Sequence, residues 1–224
     1  MSLKPPKKSD LNKEWMQKRA SRNIMIQPEF HLIVTEGTKT EPNYFRSIQE
    51  TINEKYAGKI QLDIHGTGQN TVSLIERAEE LCRENINEYK HVWLVYDTDD
   101  FPAENINKVV EWCEANTIPD TRYYHAVWSN QCIELWYLLH FSFMQSDLHR
   151  SEYYPKLTEC LEKIKQGKYK KNREDMFQIL LPFVDDAIKN AKQLNDLNSG
   201  KTPTKSAPGT KVYEIVELLL PYLR

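Results

Sequence analysis

No apolar run in the chain approaches the roughly 20 residues needed to cross a bilayer. The basic start (Lys4, Lys7, Lys8, Lys13, Lys18, Arg19, Arg22) has no apolar segment behind it, so a secretory leader is not expected. Cysteine is sparse: Cys82, Cys113, Cys132 and Cys160 are widely spaced and form no C-x-x-C pair. They read as free thiols in a reducing cytoplasm, which excludes a zinc ribbon or a disulfide frame. The phosphate-binding pattern G-x-x-x-x-G-K-[ST] is missing, which argues against a P-loop ATPase, and G-x-S-x-G is missing too. No two histidines have zinc-motif spacing. Net charge is nearly absent as well: 30 Lys and Arg against 32 Asp and Glu leave −2. The sum therefore does not announce a nucleic-acid binder, and the distribution matters more.

What is present suits a globular protein. At 224 residues, with 40% hydrophobic and 28% charged residues, the chain fits one mid-sized domain or a domain with an appended lobe. A chain of this size removes roughly 70% of its unfolded surface from water. Basic residues gather in the N-terminal arm and again at Lys163, Lys165, Lys168, Lys170, Lys171 and Arg173. Lys201, Lys205 and Lys211 lie in a stretch without acids, whereas acids concentrate between residues 76 and 104. Taken singly, each cluster reads as a solvated helix face.

Residues 1–28 read as a basic arm, poorly ordered or weakly helical. Residues 30–35 (FHLIVT) form a short apolar, β-branched run of the kind buried on both faces of a sheet. The run stops at EGTKTE, and a helix is expected over 41–56, with Pro42 in its first turn. Further strands are expected at 59–64, 91–96 and 122–127, and helices at 71–85, 104–115 and 131–141. This alternation predicts an α/β fold: an open, mainly parallel four-stranded sheet with helices on both faces, over residues 29–141. Residues 142–224 show no convincing strand. They are expected to form a helical extension on the same domain, with helices at 153–165, 173–181, 184–194 and 212–223.

In an open α/β sheet, functional groups collect beyond the carboxyl ends of the strands. Glu36 follows the first strand there, and Asp97 and Asp99 follow the third. Two like charges 4 Å apart repel by about 4 kcal/mol at an effective dielectric of 20, so such a cluster is costly without a cation. Oxygen ligands unaccompanied by Cys or His favour Mg²⁺ or Mn²⁺. The plainer reading makes Asp97 and Asp99 a solvated turn and Glu36 a loop acid. A D-x-D after an apolar strand also occurs in sugar transferases that hold a metal-bound nucleotide sugar. His65 and His140 are candidates for proton transfer, with a structural role as the alternative. Trp93, Trp112, Trp128 and Trp136 fall within expected elements and read as core.

Five segments occurring in order, HLIVTEGTKTEPNYF, VWLVYDTDD, SNQCIELWYLLHF, YKKNRED and APGTKVYEIVELL, resemble the RloB-like family of the Toprim superfamily. The likeness covers nearly the whole chain from residue 30. Gln131 stands where that family usually has proline, Ile133 where Phe is common, and Ala207, Pro208, Gly209 and Thr210 replace an N-P-S-T-like run. The resemblance implies a Toprim-like sheet in which Glu36, Asp97 and Asp99 are catalytic and hold Mg²⁺ or Mn²⁺. It adds Glu134, at the start of a helix facing the site, as a further metal ligand or orienter. It also implies phosphodiester cleavage of DNA or of structured RNA such as tRNA. The biological setting it implies is a cytoplasmic effector of bacterial anti-phage defence, working with a cognate ATPase. Lys170, Lys171 and Arg173 are the expected phosphate contacts. The chain is short for a topoisomerase or primase. The alternative within the family is a catalytically inactive subunit that binds nucleic acid or the ATPase.

Overall fold

The structure is a computed structural model that describes residues 28–68, 71–85, 88–98 and 102–224; the basic arm expected over 1–28 lies almost wholly outside them. Four strands form the sheet: β1 (Glu29–Thr35), β2 (Ile60–Gly66), β3 (Tyr89–Thr98) and β4 (Tyr123–Asn130). Their order is β2-β1-β3-β4 and every pairing is parallel. The sequence expectation of a mainly parallel sheet is met, with no antiparallel strand among the four. In β1, Leu32, Ile33 and Val34 are each fully buried, as an uninterrupted apolar run requires when both faces of a sheet are covered.

Right-handed crossovers decide which helix covers which face. The chain leaves β1 toward β2 through α1 (Thr40–Tyr56) and returns past β1 to β3 through α2 (Thr71–Glu84). It then reaches β4 through α3 (Ala103–Asn116). The reversal of direction places α1 on one face and α2 with α3 on the other. Two apolar clusters record this. Leu32, Val34, Val92 and Leu94 pack with Leu74 and Ala78 of α2 and Val109 of α3, whereas Ile33, Trp93, Val95 and Val127 pack with Phe45, Ile48 and Ile52 of α1.

The second cluster continues without a break into the C-terminal half. It takes in α4 (Glu134–Leu139), α5 (Arg150–Lys163), α6 (Met176–Leu180), α7 (Val184–Leu197) and α8 (Val212–Leu219). Three of these helices are shorter than their periodicity suggests. The stretch expected as helix from 131 starts only at Glu134, because Gln131 has a left-handed φ of 65° and turns the chain out of β4. The one expected from 173 starts at Met176, after a loop whose Asn172 is also left-handed. The last helix gives way to a 3₁₀ turn at Leu220–Tyr222, where Pro221 has no N–H to continue the ladder.

Candidate active site

The sheet order makes the gap between the carboxyl ends of β1 and β3 a topological switch point. The connections from these neighbours depart in opposite directions, leaving a crevice. Glu36 and Asp97 both lie there. The Glu36 amide extends the β1–β3 ladder by donating to Val95 O at 2.9 Å, and the Asp97 amide donates to Glu36 Oε2 at 3.3 Å. The two residues expected to share a site are thus joined directly through backbone and carboxylate. Asp97 follows Trp93 and Val95 in alternation, so its side chain faces the α1 side of the sheet. Asp99 lies outside the described residues.

Glu41 is the acid that inspection of the sequence passed over. It sits in the first turn of α1, is 7% exposed, and places negative charge where the helix dipole favours it. Gly37 explains how it fits. A Cβ at that position would run into the Glu41 carboxylate, so only glycine lets that group fold back beside the β1 turn. The signal was present in EGTKTE as a glycine four residues ahead of a second acid, but nothing in the pattern said the side chain turns inward.

A further acid comes with the turn from β4 into α4. The left-handed turn at Gln131 delivers Cys132 and then Glu134, which opens α4 and is 1% exposed. Tyr169 Oη donates to Glu134 Oε1 at 2.7 Å. Burial, and after it the negative charges of Glu134 and Asp97, pushes the Cys132 thiol far above its ordinary range. Tyr169 is likewise pushed up by burial and then by Glu134, so it stays a hydroxyl donor at any physiological pH.

Of the three expected phosphate contacts, Lys170 and Lys171 are both exposed. The pKa of Lys171 is raised: partial burial works against its charge, but Tyr154, Glu134 and Glu41 outweigh it. Arg173 is committed elsewhere: its guanidinium holds Asp175 through Nε at 2.5 Å and Nη2 at 3.0 Å, and donates to Gln166 O at 2.8 Å. The loop carrying Lys171 is tied to the start of α1. Thr40 Oγ1 donates to Asn172 Oδ1 at 2.9 Å, Asn43 Nδ2 to Asn172 O at 3.0 Å, and Ser47 Oγ to Glu174 O at 3.0 Å.

The two histidines singled out for proton transfer lie apart from these groups. His65 pairs with Asp63 at 3.0 Å on β2. His140 is buried, with Nδ1 at 2.9 Å from Trp136 O, a structural contact. Trp93, Trp128 and Trp136 are buried and Trp112 packs against the α2–α3 cluster, in keeping with their reading as core.

Glu36, Glu41, Asp97 and Glu134 offer only carboxylate oxygens to the crevice, the donor chemistry of a hard divalent cation. Among the described residues no three of these acids bring their oxygens within 4.8 Å of one another. A family model described as RloB-like protein matches residues 31–219. No curated protein and no solved structure matches the chain.

Proposed function

This chain belongs to the RloB-like family, and from that premise we propose that it is a Mg²⁺-dependent nuclease, an effector of anti-phage defence that hydrolyses phosphodiester bonds in DNA or in structured RNA such as tRNA. The observation that carries the reading is the meeting of Glu36 with Asp97 at the switch point. Neighbouring carboxylates are a liability for folding unless a cation and an anionic substrate use them.

Glu36, Asp97 and Asp99 would hold Mg²⁺ or Mn²⁺, with Glu134 as a further ligand or as the group that orients one. When bound, the ion supplies charge neutralisation for the scissile phosphate and activation of a water. The protein's own contributions are distinct. Lys171 attracts and positions the phosphate. Tyr169 fixes the carboxylate of Glu134 through its hydroxyl. Glu36 or Glu41 accepts the proton released by the attacking water.

The test is cleavage by the purified full-length chain, alone and with a cognate ATPase, on supercoiled DNA, single-stranded DNA and total tRNA, with Mg²⁺, Mn²⁺ or EDTA. Metal-dependent cutting by the parent, reduced at least about 100-fold in Asp97→Asn and Glu36→Gln, is expected. An unchanged rate in both variants would overturn the assignment. Expression should be toxic, or protective against phage, only with those acids intact.

A further inference from the structure

A second constellation lies at the opposite end of the sheet, where β1 and β3 begin. His31 and His91 are register partners on adjacent strands. They open the regular part of the ladder, which runs unbroken from His31–His91 to Thr35–Val95; just before it Phe30 pairs with Tyr89, so Lys90 is an extra residue in β3. Alternation along β3 puts His91 on the face that Trp93 and Val95 occupy, the face of His31 and Ile33. Glu29, two residues before His31, belongs to the same face.

The distances are short. Glu29 Oε1 lies 2.9 Å from His31 Nε2 and 3.7 Å from His91 Nε2. Among the described residues, these are the three whose ligating atoms all fall within 4.8 Å of one another. Two ligands about 2.05 Å from a tetrahedral zinc ion sit about 3.3 Å apart, and the observed pair of distances brackets that value. The other carboxylate oxygen of Glu29 is engaged by Lys90 Nζ at 3.1 Å, which leaves Oε1 to the histidines.

The surroundings are those of metal-bound histidine. His91 Nδ1 lies 2.9 Å from His125 Nε2, so it can donate outward and direct the Nε2 lone pair at Glu29. His91 stacks on Trp93 and Tyr123, with interplanar angles of 16° in both cases, and this fixes the ring plane. His31 is fully buried, whereas the Glu29 side chain is 36% exposed and leaves a way in from solvent. In the free protein the Trp93 indole donates to His31 Nδ1 at 3.4 Å, a long bond. Loading moves the imidazole proton from Nε2 to Nδ1 and gives that contact up.

We propose that Glu29, His31 and His91 form a binding site for a borderline divalent cation of the zinc class, clamping the beginnings of β1 and β3 together. Two imidazole nitrogens and one carboxylate oxygen select Zn²⁺, Co²⁺, Ni²⁺ or Cu²⁺ over Mg²⁺ and Ca²⁺, the reverse of the oxygen-only crevice. Five residues of strand separate His31 from Glu36, roughly 16 Å at about 3.3 Å per residue. The clamp therefore shares no ligand with the crevice. Its role is structural: it crosslinks the two strands whose far ends carry Glu36 and Asp97.

Zinc binding to the metal-free full-length chain tests this, by titration calorimetry and by thermal melting with and without Zn²⁺. One Zn²⁺ per chain and a higher melting temperature are expected in the parent and in Asp97→Asn. Glu29→Gln and His91→Asn, both at partly exposed positions, should fold and lose the zinc-induced shift. His125→Phe should weaken zinc binding by about 10- to 100-fold, as loss of an orienting partner does. Co²⁺ bound in place of zinc should show d–d bands without an intense thiolate charge-transfer band. No zinc shift in the parent, the same shift in Glu29→Gln and His91→Asn, or a thiolate band from Co²⁺ would each overturn the proposal.

Discussion

At the scale of single residues, buried charge and buried polarity set what can be measured. Asp97→Asn removes one of several crowded negative charges, so the metal-free variant should melt at or above the parent's temperature. Added Mg²⁺ should stabilise the parent more than the variant, because an ion that binds only the folded state adds its binding free energy to stability. Equal Mg²⁺-induced shifts in a thermal melt would remove Asp97 from the site. Gly37→Ala probes the neighbouring acid. The new methyl group has to displace the Glu41 carboxylate, so the Mg²⁺-induced shift should shrink while the metal-free fold persists.

His140 gives a pH dependence independent of metal. Burial lowers it from an ordinary 6.5 to about 4. Between those values the unfolded chain takes up a proton that the folded chain refuses. Stability contributed by the neutral ring is complete above about 6.5 and is lost as pH falls toward 4, by about 3 kcal/mol in all. Urea unfolding at pH 7 and pH 5 should show the parent losing more stability than His140→Gln; parallel losses would contradict the assignment.

At the scale of elements, the loop between α5 and α6 decides where Lys171 points. Asn172 holds that loop through two bonds to α1 and adopts a φ of 69°, which costs a residue with a plain Cβ roughly 1–2 kcal/mol. Asn172→Ala should destabilise by about 2 kcal/mol and weaken binding to a nucleic-acid substrate. Asn172→Gly should keep the backbone and lose less stability. Comparing the two by denaturant unfolding separates the conformational cost from the lost hydrogen bond. The strands were legible because uninterrupted apolar, β-branched runs have few other places to go. The ends of α4 and α6 were not. Left-handed φ at Gln131 and Asn172 is a tertiary outcome, and neither residue announces it as glycine would.

At the scale of the whole molecule, one apolar cluster runs from α1 and the sheet through α4 to α8. Leu135, Trp136, Tyr137, Leu138 and Leu139 of α4 are each at most 1% exposed, so α4 is enclosed on every side. A fragment of residues 28–142 would expose the side of α4 that α5 and α7 cover, together with several large apolar side chains worth about 1.5–3 kcal/mol each when buried. It should be a molten or aggregating species, with weak near-ultraviolet circular dichroism and strong dye binding. A cooperative unfolding transition in that fragment would show instead that the α/β portion is self-sufficient.

What the sequence determined by itself was local and periodic. Four apolar runs specified strands, the spacing between them specified helices, and acids placed directly after the first and third runs marked the end of the sheet where chemistry collects. Short-range patterns of this kind survive in one dimension, because each residue's preference is set by its near neighbours. Which strands lie side by side was decided only by tertiary structure, and with it every relation between distant residues. The order β2-β1-β3-β4 joins Glu36 to Asp97, sixty-one positions apart. The same pairing, in the same register, sets His31 against His91, which no spacing rule for histidines would connect. Glu36 and Asp97 mark a site that exists only once the sheet has formed, because the ends of distant strands become neighbours only through pairing.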